Sequence, residues 1–297
     1  MPAIPDSFEK LVSEGHGAKG REWLRHLPDL LNDLARDWKL TLHEPVDNLK
    51  GNYVVYAETT AGTRVVLKVG VPQLDFRTEI EALNIYQGRG IVRSLESIPE
   101  RALLLERIIP GTRLNDLKNN RDEARIAAGV IERLRTPAPV KHNFPNWMGR
   151  VETRFRKGRL ELNEHADFPD SWIDQAEAAV KVCRESGEDD VLLHGDLHHH
   201  NILLDHKRGW IAIDPKGVIG HPGLEVGRYS FNWLPGPIEN AGPFMNERMT
   251  ILSEELGDSR VRERALVDVI QCLCQTIGKE RNSWKNTLFH AGRFLTE

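Results

Sequence analysis

The stretch from His194 to Asp214, HGDLHHHNILLDHKRGWIAID, decides how this sequence is interpreted. It presents a carboxylate at Asp196, an amide five residues later at Asn201, and a second carboxylate at its end, Asp214. Two short apolar runs between the amide and the final carboxylate predict the strands of a β-hairpin, Ile202–Leu204 and Trp210–Ile213. Such a hairpin would bring Asn201 and Asp214 to one edge of a cleft.

The residue types in this stretch suit phosphoryl transfer. That reaction needs a carboxylate that orients the acceptor hydroxyl and takes its proton, and hard oxygen ligands that hold Mg²⁺ against nucleotide phosphates. We assign the first role to Asp196, the candidate catalytic residue, and the second to Asn201 and Asp214, the candidate metal ligands. The alternative is an ordinary polar loop before a hairpin, which the H-x-D-x-x-x-x-N spacing and the strand-terminal Asp214 disfavour.

The segments on either side predict an α+β chain with two lobes. The first part predicts antiparallel strands with one helix among them: strands Tyr53–Thr59, Arg64–Val69, Ile91–Ser97 and Ala102–Ile109, and helix Thr78–Gln87. An amphipathic helix over residues 18–40 precedes them, and Pro28 predicts a kink or break in it. The rest of the chain is mostly helical, because apolar residues recur there at helical spacing. The predicted helices are Glu123–Leu134, Ser171–Cys183, Phe244–Leu256 and Leu266–Ile277, and residues 136–147 form a surface segment between the first two. We expect an N-terminal lobe of residues 1–107 and a helical C-terminal lobe of residues 108–297.

Charge and composition exclude several classes of protein. The 297 residues include 40 Lys and Arg against 44 Asp and Glu, a formal charge of −4. This balance disfavours nucleic acid or an anionic membrane as the main partner, because both need a basic footprint. No apolar run approaches the roughly 20 residues of a membrane span, and the N-terminus does not resemble a signal peptide. Three cysteines without CxxC spacing disfavour structural disulfides. We therefore expect a cytoplasmic protein.

Two further patterns carry less weight. The segment from Gly15 to Gly20 matches G-x-G-x-x-G, but it follows a helix-like segment, so we expect it to separate two helices rather than bind a dinucleotide. Five histidines between His194 and His206 invite a zinc site. Zinc is disfavoured because three consecutive residues in an extended stretch point to opposite faces and HExxH spacing is absent.

With these motifs the chain resembles the bacterial aminoglycoside phosphotransferases, and within them the streptomycin/hydroxyurea phosphotransferase branch. Beyond the stretch quoted above, the matching segments are Val66-Leu-Lys-Val69, Glu79-x-x-x-Leu83, Leu103-Leu-Leu-Glu-x-x-x-Pro-Gly111 and Ile213-Asp-Pro-Lys-Gly217. The resemblance implies a protein-kinase-like α+β fold with a small antiparallel β-rich N-lobe and a larger helical C-lobe. It also implies ATP as co-substrate and Mg²⁺ as cofactor.

The same resemblance implies an ion pair that binds phosphates. Lys68 would place its charge on the nucleotide phosphates, and Glu79 would pair with Lys68 and fix its rotamer. Glu81 is the rival partner, but the spacing of Glu79 from the apolar residues Leu83 and Tyr86 suits the helix better. If it stood alone, Lys68 would be interpreted as an exposed strand lysine.

The remaining nucleotide-binding candidates also follow from the resemblance. Gly51 and Asn52 would lie in the loop over the phosphates. Glu106, Arg107 and Ile108 would form the hinge, whose backbone groups recognise the adenine edge.

Departures from the family pattern bear on the substrate. His200 replaces a glycine before Asn201 and puts a bulky ring beside the metal ligands, and His221 stands where the family usually has an acid. No Ala-Pro-Glu segment closes an activation loop, so we expect no protein substrate.

Charge patterning gives a clue to the acceptor. Between Glu161 and Val180 there are six acids and no Lys or Arg: Glu161, Glu164, Asp167, Asp170, Asp174 and Glu177. This acidic wall would suit a polycationic acceptor such as an aminosugar or a guanidinylated cyclitol. The alternative is that upstream basic residues, Arg159 among them, pair with these acids, and the two interpretations stay level.

The resulting hypothesis is an ATP-dependent phosphotransferase that moves the γ-phosphate to a hydroxyl of a small molecule, by resemblance an aminoglycoside of the streptomycin type. The alternatives are a kinase for another small metabolite, such as a sugar, a choline-like amine or a hydroxyurea-like compound, and an inactive nucleotide-binding regulator. Retention of Lys68, Asp196, Asn201 and Asp214 speaks against the regulator, and His200 is the feature in its favour.

Overall fold

The chain divides into two compact units. The computed structural model describes residues 2–47, 49–71, 74–165, 167–234, 237–280 and 282–297. The units comprise residues 1–111 and 112–297. The boundary therefore lies a few residues after the one expected from the sequence, and the strand Pro110–Arg113 crosses it.

The first unit is built on a five-stranded antiparallel sheet. In chain order its elements are α1 (Asp6–Asp37), β1 (Leu40–Pro45), β2 (Asn52–Thr59), β3 (Arg64–Gly70), α2 (Leu74–Tyr86), β4 (Ser94–Ile98) and β5 (Ala102–Glu106). The strands lie in the order β1-β2-β3-β5-β4. The register places Val54 opposite Lys68 and Asn52 opposite Gly70.

Alternating burial explains why this sheet forms. In β2 the side chains of Tyr53, Val55 and Ala57 are buried and their neighbours are more exposed, the period of two that a strand with one covered face requires. The cover comes from α1, whose Phe8 and Leu27 belong to the same apolar cluster. The helix thus supplies the hydrophobic layer that holds β2 and β3 in place.

Two expectations for this unit are corrected. The break in α1 lies at Gly17, whose φ of 57° and ψ of −132° are not helical, whereas the helix continues through Pro28. Glycine adopts this conformation without a steric penalty, so the glycine-rich segment does separate two helices, as expected. Sequence patterning also missed β1, an edge strand with a mixed burial pattern.

The second unit is mainly helical. After β6 (Pro110–Arg113), its elements are α3 (Asn120–Leu134), β7 (Thr136–Pro137), α4 (Trp147–His165), α5 (Ser171–Glu185), β8 (Val191–Leu193), β9 (Ile202–Asp205), β10 (Gly209–Ala212), β11 (Val218–Gly220), α6 (Val226–Phe231), α7 (Gly242–Leu256), α8 (Val261–Cys274) and α9 (Ser283–Thr296). The predicted hairpin is present as β9 and β10, which pair antiparallel. A second small sheet has the order β11-β8-β7.

Helix α8 is the centre of this unit. Its side chains are buried from Arg264 to Cys274, and most of them are apolar, with Arg264, Asp268 and Gln271 as the buried polar exceptions. It begins at Val261, earlier than the predicted start at Leu266, because its first turn contains Arg262, Glu263 and Arg264 and therefore shows no apolar stripe. Helix α4 was not predicted, since basic and acidic residues outnumber the apolar ones that face inward. Within the described ranges, no helix combines the length and apolar character needed to cross a membrane.

Candidate active site

Asp196 lies in a loop between β8 and a short 3-10 turn, His199–Asn201, that leads into β9. The loop turns at Gly195, whose φ is +77°. A Cβ at this position would lie 2.9 Å from Cγ2 of Val218. Only glycine therefore fits between His194 and Asp196, which explains the Gly in the motif.

His194 braces this loop from inside the unit. Its fully buried ring donates from Nε2–H to the carbonyl of Ile213 at 2.7 Å, and its Nδ1 accepts from the backbone N–H of Asp196 at 3.3 Å. Burial lowers the pKa of His194 below its ordinary value, in agreement with a neutral ring that both donates and accepts. His194 thus links the Asp196 loop to the residue before Asp214.

Glu225 holds the same loop from the other side and was not singled out in the sequence. Its carboxylate accepts from the backbone N–H of His194 at 2.6 Å and of Gly195 at 3.1 Å. Burial raises the pKa of Glu225 to about 7, although these two backbone donors oppose the shift. Nothing in the spacing signals this contact, because 31 residues separate His194 from Glu225.

Two cations face the carboxylate of Asp196. Nζ of Lys216 lies 3.1 Å from Oδ2, and Nε of Arg228 lies 3.7 Å from Oδ1. Burial would raise the pKa of Asp196, but Lys216 and then Arg228 hold it below its ordinary value. Arg228 in turn donates to Oδ2 of Asp268 at 3.0 Å. Asp196 is therefore an ionised carboxylate at neutral pH, and sequence analysis had assigned no role to either cation.

Asn201 and Asp214 are brought together by the backbone. The N–H of Ile213 donates to the carbonyl of Asn201 at 2.9 Å, so Asp214 directly follows a residue paired with Asn201. The Asn201 amide donates from Nδ2 to the carbonyl of Asp196 at 3.0 Å, which orients its side-chain oxygen away from that contact. Asp214 has a φ of +59°, an unusual backbone for a non-glycine residue. An amide oxygen and a carboxylate are a donor set that suits Mg²⁺ when phosphate oxygens and water complete the shell.

Two histidines of the motif, His199 and His200, stack on aromatic rings. His199 is buried and stacks on Tyr229 with ring centroids 4.3 Å apart, and burial lowers its pKa well below the ordinary value. His200 stacks on Trp233 at 3.8 Å, so the bulky ring that replaces the expected glycine has a place in the fold. Over the residues that the structure describes, no group of three His, Cys, Asp or Glu side chains could hold a metal ion.

In the first unit, the ion pair expected between Lys68 and Glu79 is present. Nζ of Lys68 on β3 lies 2.6 Å from Oε1 of Glu79 on α2, and both side chains are buried. The rival Glu81 instead receives a hydrogen bond from Nε of Arg77 at 3.0 Å. Lys68 is therefore not the exposed strand lysine of the alternative interpretation.

The other nucleotide-binding candidates also lie in the first unit. Gly51, with φ of +73°, turns the chain into β2, where Asn52 is the first residue. Glu106 ends β5, and its carboxylate accepts from the N–H of Arg93 at 2.7 Å. The Arg107 guanidinium lies 3.8 Å above the Tyr56 ring, and Ile108 is buried.

Much of the acidic wall is paired with cations inside the second unit. Arg159 contacts three of its acids, Asp170 at 2.8 Å, Asp174 at 2.7 Å and Glu177 at 2.9 Å. Asp167 lies 3.0 Å from Nζ of Lys285. These contacts favour the structural interpretation of the wall over a surface that docks a cationic acceptor.

Comparison with known proteins relates the chain to enzymes that phosphorylate small molecules. The family described as "Aminoglycoside/hydroxyurea antibiotic resistance kinase" matches residues 37–273. The chain is 33% identical to a hydroxyurea phosphotransferase of Kitasatospora aureofaciens over 273 residues, which cover 88% of this chain and 76% of the relative. It is 29% identical to a streptomycin 6-kinase of Streptomyces glaucescens over 228 residues, 75% of this chain and 73% of the relative.

Solved structures bear out the fold class. An ethanolamine kinase of Plasmodium vivax superposes with a TM-score of 0.62 at 11% identity, covering 100% of this chain and 95% of that one. The predicted protein-kinase-like α+β fold, with a β-rich first unit and a helical second unit, is therefore confirmed. At this identity the likeness concerns the fold alone.

Proposed function

The chain belongs to the aminoglycoside/hydroxyurea antibiotic resistance kinase family, and we propose that this phosphotransferase moves the γ-phosphate of ATP, with Mg²⁺, to a hydroxyl group of a small molecule. The observation that carries the proposal is the braced loop that presents the ionised carboxylate of Asp196 beside Asn201 and Asp214.

In this reaction Asp196 orients the acceptor and takes its proton. The carboxylate accepts a hydrogen bond from the acceptor hydroxyl, which directs the oxygen towards the γ-phosphate, and it receives the proton as the new bond forms. The brace formed by His194 and Glu225 fixes the backbone around Asp196, so the carboxylate need not be ordered again in each turnover.

Asn201 and Asp214 would hold the metal ion, and Lys68 would bind the nucleotide phosphates. Mg²⁺ supplies neutralisation of phosphate charge when bound. The Lys68 ammonium adds a point charge whose position Glu79 fixes through a 2.6 Å contact. Gly51 and Asn52 would cover the phosphates, and the backbone of Glu106, Arg107 and Ile108 would bind adenine.

We propose an aminoglycoside of the streptomycin type as the first acceptor, supported by the streptomycin 6-kinase relative. A small uncharged acceptor of the hydroxyurea type is the second candidate. It is supported by the longer and more similar match to a hydroxyurea phosphotransferase and by the pairing of the acidic wall with Arg159 and Lys285, which leaves less negative charge for a polycation.

The proposal is tested by ADP release in the presence of Mg·ATP and a panel of acceptors: streptomycin, other aminoglycosides, hydroxyurea, choline and simple sugars. We expect saturable, acceptor-dependent release by the wild-type protein and none by Asp196→Asn, with ATP binding retained. If ATP binds but no acceptor in the panel stimulates ADP release, the proposed acceptors are contradicted. If ATP does not bind, the proposed reaction itself is contradicted.

A further inference from the structure

The carboxylate of Asp196 has a cation at each oxygen, Lys216 at Oδ2 and Arg228 at Oδ1. A carboxylate oxygen that already contacts an ammonium is a poorer acceptor for the proton of an incoming hydroxyl. Proton transfer to Asp196 is therefore favoured when one of the two cations moves away. The two cations differ in how they are held.

Arg228 is the cation that stays. Its Nε donates to Asp268 at 3.0 Å and its Nη2 to Sγ of Cys272 at 3.2 Å. Its side chain is 19% exposed, and that of Asp268 is 6% exposed. Moving Arg228 would take its cation from a buried carboxylate, which is strongly unfavourable.

Lys216 is the cation that can move. Its backbone is fixed, because its N–H donates to the carbonyl of His194 at 2.8 Å. Its side chain is 38% exposed, twice the value for Arg228. The ammonium sits on a flexible four-carbon stem with rotatable donors. Because Lys216 follows Asp214 by two residues, its stem starts beside the candidate metal ligands and reaches Asp196.

We propose that Lys216 is a further catalytic residue, whose ammonium leaves Asp196 in the reacting complex and contacts an oxygen of the transferred phosphoryl group. This inference rests on the proposed function. The acceptor oxygen forms a bond to the γ-phosphorus, the bond from that phosphorus to the β,γ-bridging oxygen breaks, and its electron pair leaves with ADP. The acceptor proton passes to the Asp196 oxygen that Lys216 has left, while the ammonium offsets charge on the phosphoryl oxygens.

The test compares binding of two nucleotides to Lys216→Met and to a matched control, Lys207→Met, an exposed lysine in the turn between β9 and β10 of the same unit. Calorimetric titrations use Mg·ADP and the Mg complex of the non-hydrolysable β,γ-imido analogue of ATP. We expect Lys216→Met to lower the affinity for the analogue about tenfold and to leave the affinity for Mg·ADP within about twofold of the wild-type value, since only the analogue carries a γ-phosphoryl group. The control should bind both nucleotides as the wild type does.

Steady-state rates supply a second readout. We expect Lys216→Met to lower kcat with little change in the KM of the acceptor, and Lys216→Arg to restore part of kcat, because a cation is retained. Retained Mg·ADP binding shows that the variant is folded.

Three outcomes overturn the inference in distinguishable ways. If Lys216→Met lowers the affinity for both nucleotides equally, the residue has a structural role only. If it lowers the affinity for neither, the ammonium does not contact the γ-phosphoryl group. If the wild-type protein binds neither nucleotide, the proposed function fails and the inference fails with it.

Discussion

Nζ of Lys68 lies 2.6 Å from Oε1 of Glu79, and the two side chains are 5% and 6% exposed. Glu81, two residues further along the same helix, pairs with Arg77 at the surface instead, where the side chains are 32% and 43% exposed. The helix thus offers two glutamates in ion pairs of similar geometry that differ in burial, so one is a control for the other.

Glu79→Gln should therefore lower the stability of the protein far more than Glu81→Gln. Loss of the carboxylate removes the 2.6 Å contact of Glu79 with the buried Lys68 ammonium, and we expect a loss of about 3–5 kcal/mol in the free energy of unfolding. Glu81→Gln should cost about 1 kcal/mol or less, because its pair is screened by solvent. Urea unfolding measures both, and titration with Mg·ATP should show weaker binding by Glu79→Gln alone. Similar small losses for the two variants would contradict the role of this ion pair.

Asp214→Ala should remove the effect of Mg²⁺ on ATP binding. If Asp214 is a metal ligand, the wild-type protein should bind ATP about tenfold more tightly with Mg²⁺ than without it, and the variant less than about twofold. Asp189→Ala, a change at an exposed loop residue, is the control. An unchanged response to Mg²⁺ in Asp214→Ala would show that Asp214 does not hold the metal.

The pairing of the acidic wall makes a prediction about the acceptor. Because Asp174 and Glu177 contact Arg159 at 2.7 and 2.9 Å, the double variant Asp174→Asn, Glu177→Gln should leave the acceptor KM within about twofold of the wild-type value. If these acids instead docked a polycationic acceptor, the double variant would raise the acceptor KM at least about tenfold, because two attractive charges would be lost. Initial rates at varied streptomycin concentration distinguish the two outcomes.

Stability should depend on pH through Glu225. Its pKa is about 7 in the fold against an ordinary value of 4.5, so between these values the folded protein binds a proton that the unfolded chain has lost. The free energy of unfolding should fall as the pH rises from about 5 to about 7.5, by about 3 kcal/mol from this group. Glu225→Gln has no such contribution, so its stability relative to wild type should improve across that range. A difference independent of pH would contradict the account.

The candidate reacting residues of the site could be predicted from the sequence better than the residues that hold them in position. The spacing from Asp196 to Asn201, the hairpin of β9 and β10, and Asp214 shortly after the second strand are local features of the sequence, so patterning could indicate them. Glu225 and Arg228 reach the same loop through tertiary contacts, which leave no periodic signal in one sequence.

The same reasoning applies to the elements. Strand β3 is a short run of mainly β-branched and apolar residues and was predicted nearly to its ends, whereas α4 carries many charges around a few inward apolar residues and was missed. The partners of the acidic wall could not be chosen from composition, because Arg159 meets its acids across the packing of α4 on α5.

The most direct test of the central claim follows the transferred phosphoryl group itself. Phosphorus-31 NMR of the wild-type protein with Mg·ATP and streptomycin or hydroxyurea should show one acceptor phosphate ester formed for each ADP. The Asp196→Asn variant should form none while it still binds Mg·ATP. Undiminished ester formation by Asp196→Asn, or release of ADP with inorganic phosphate alone from the wild-type protein, would contradict the account.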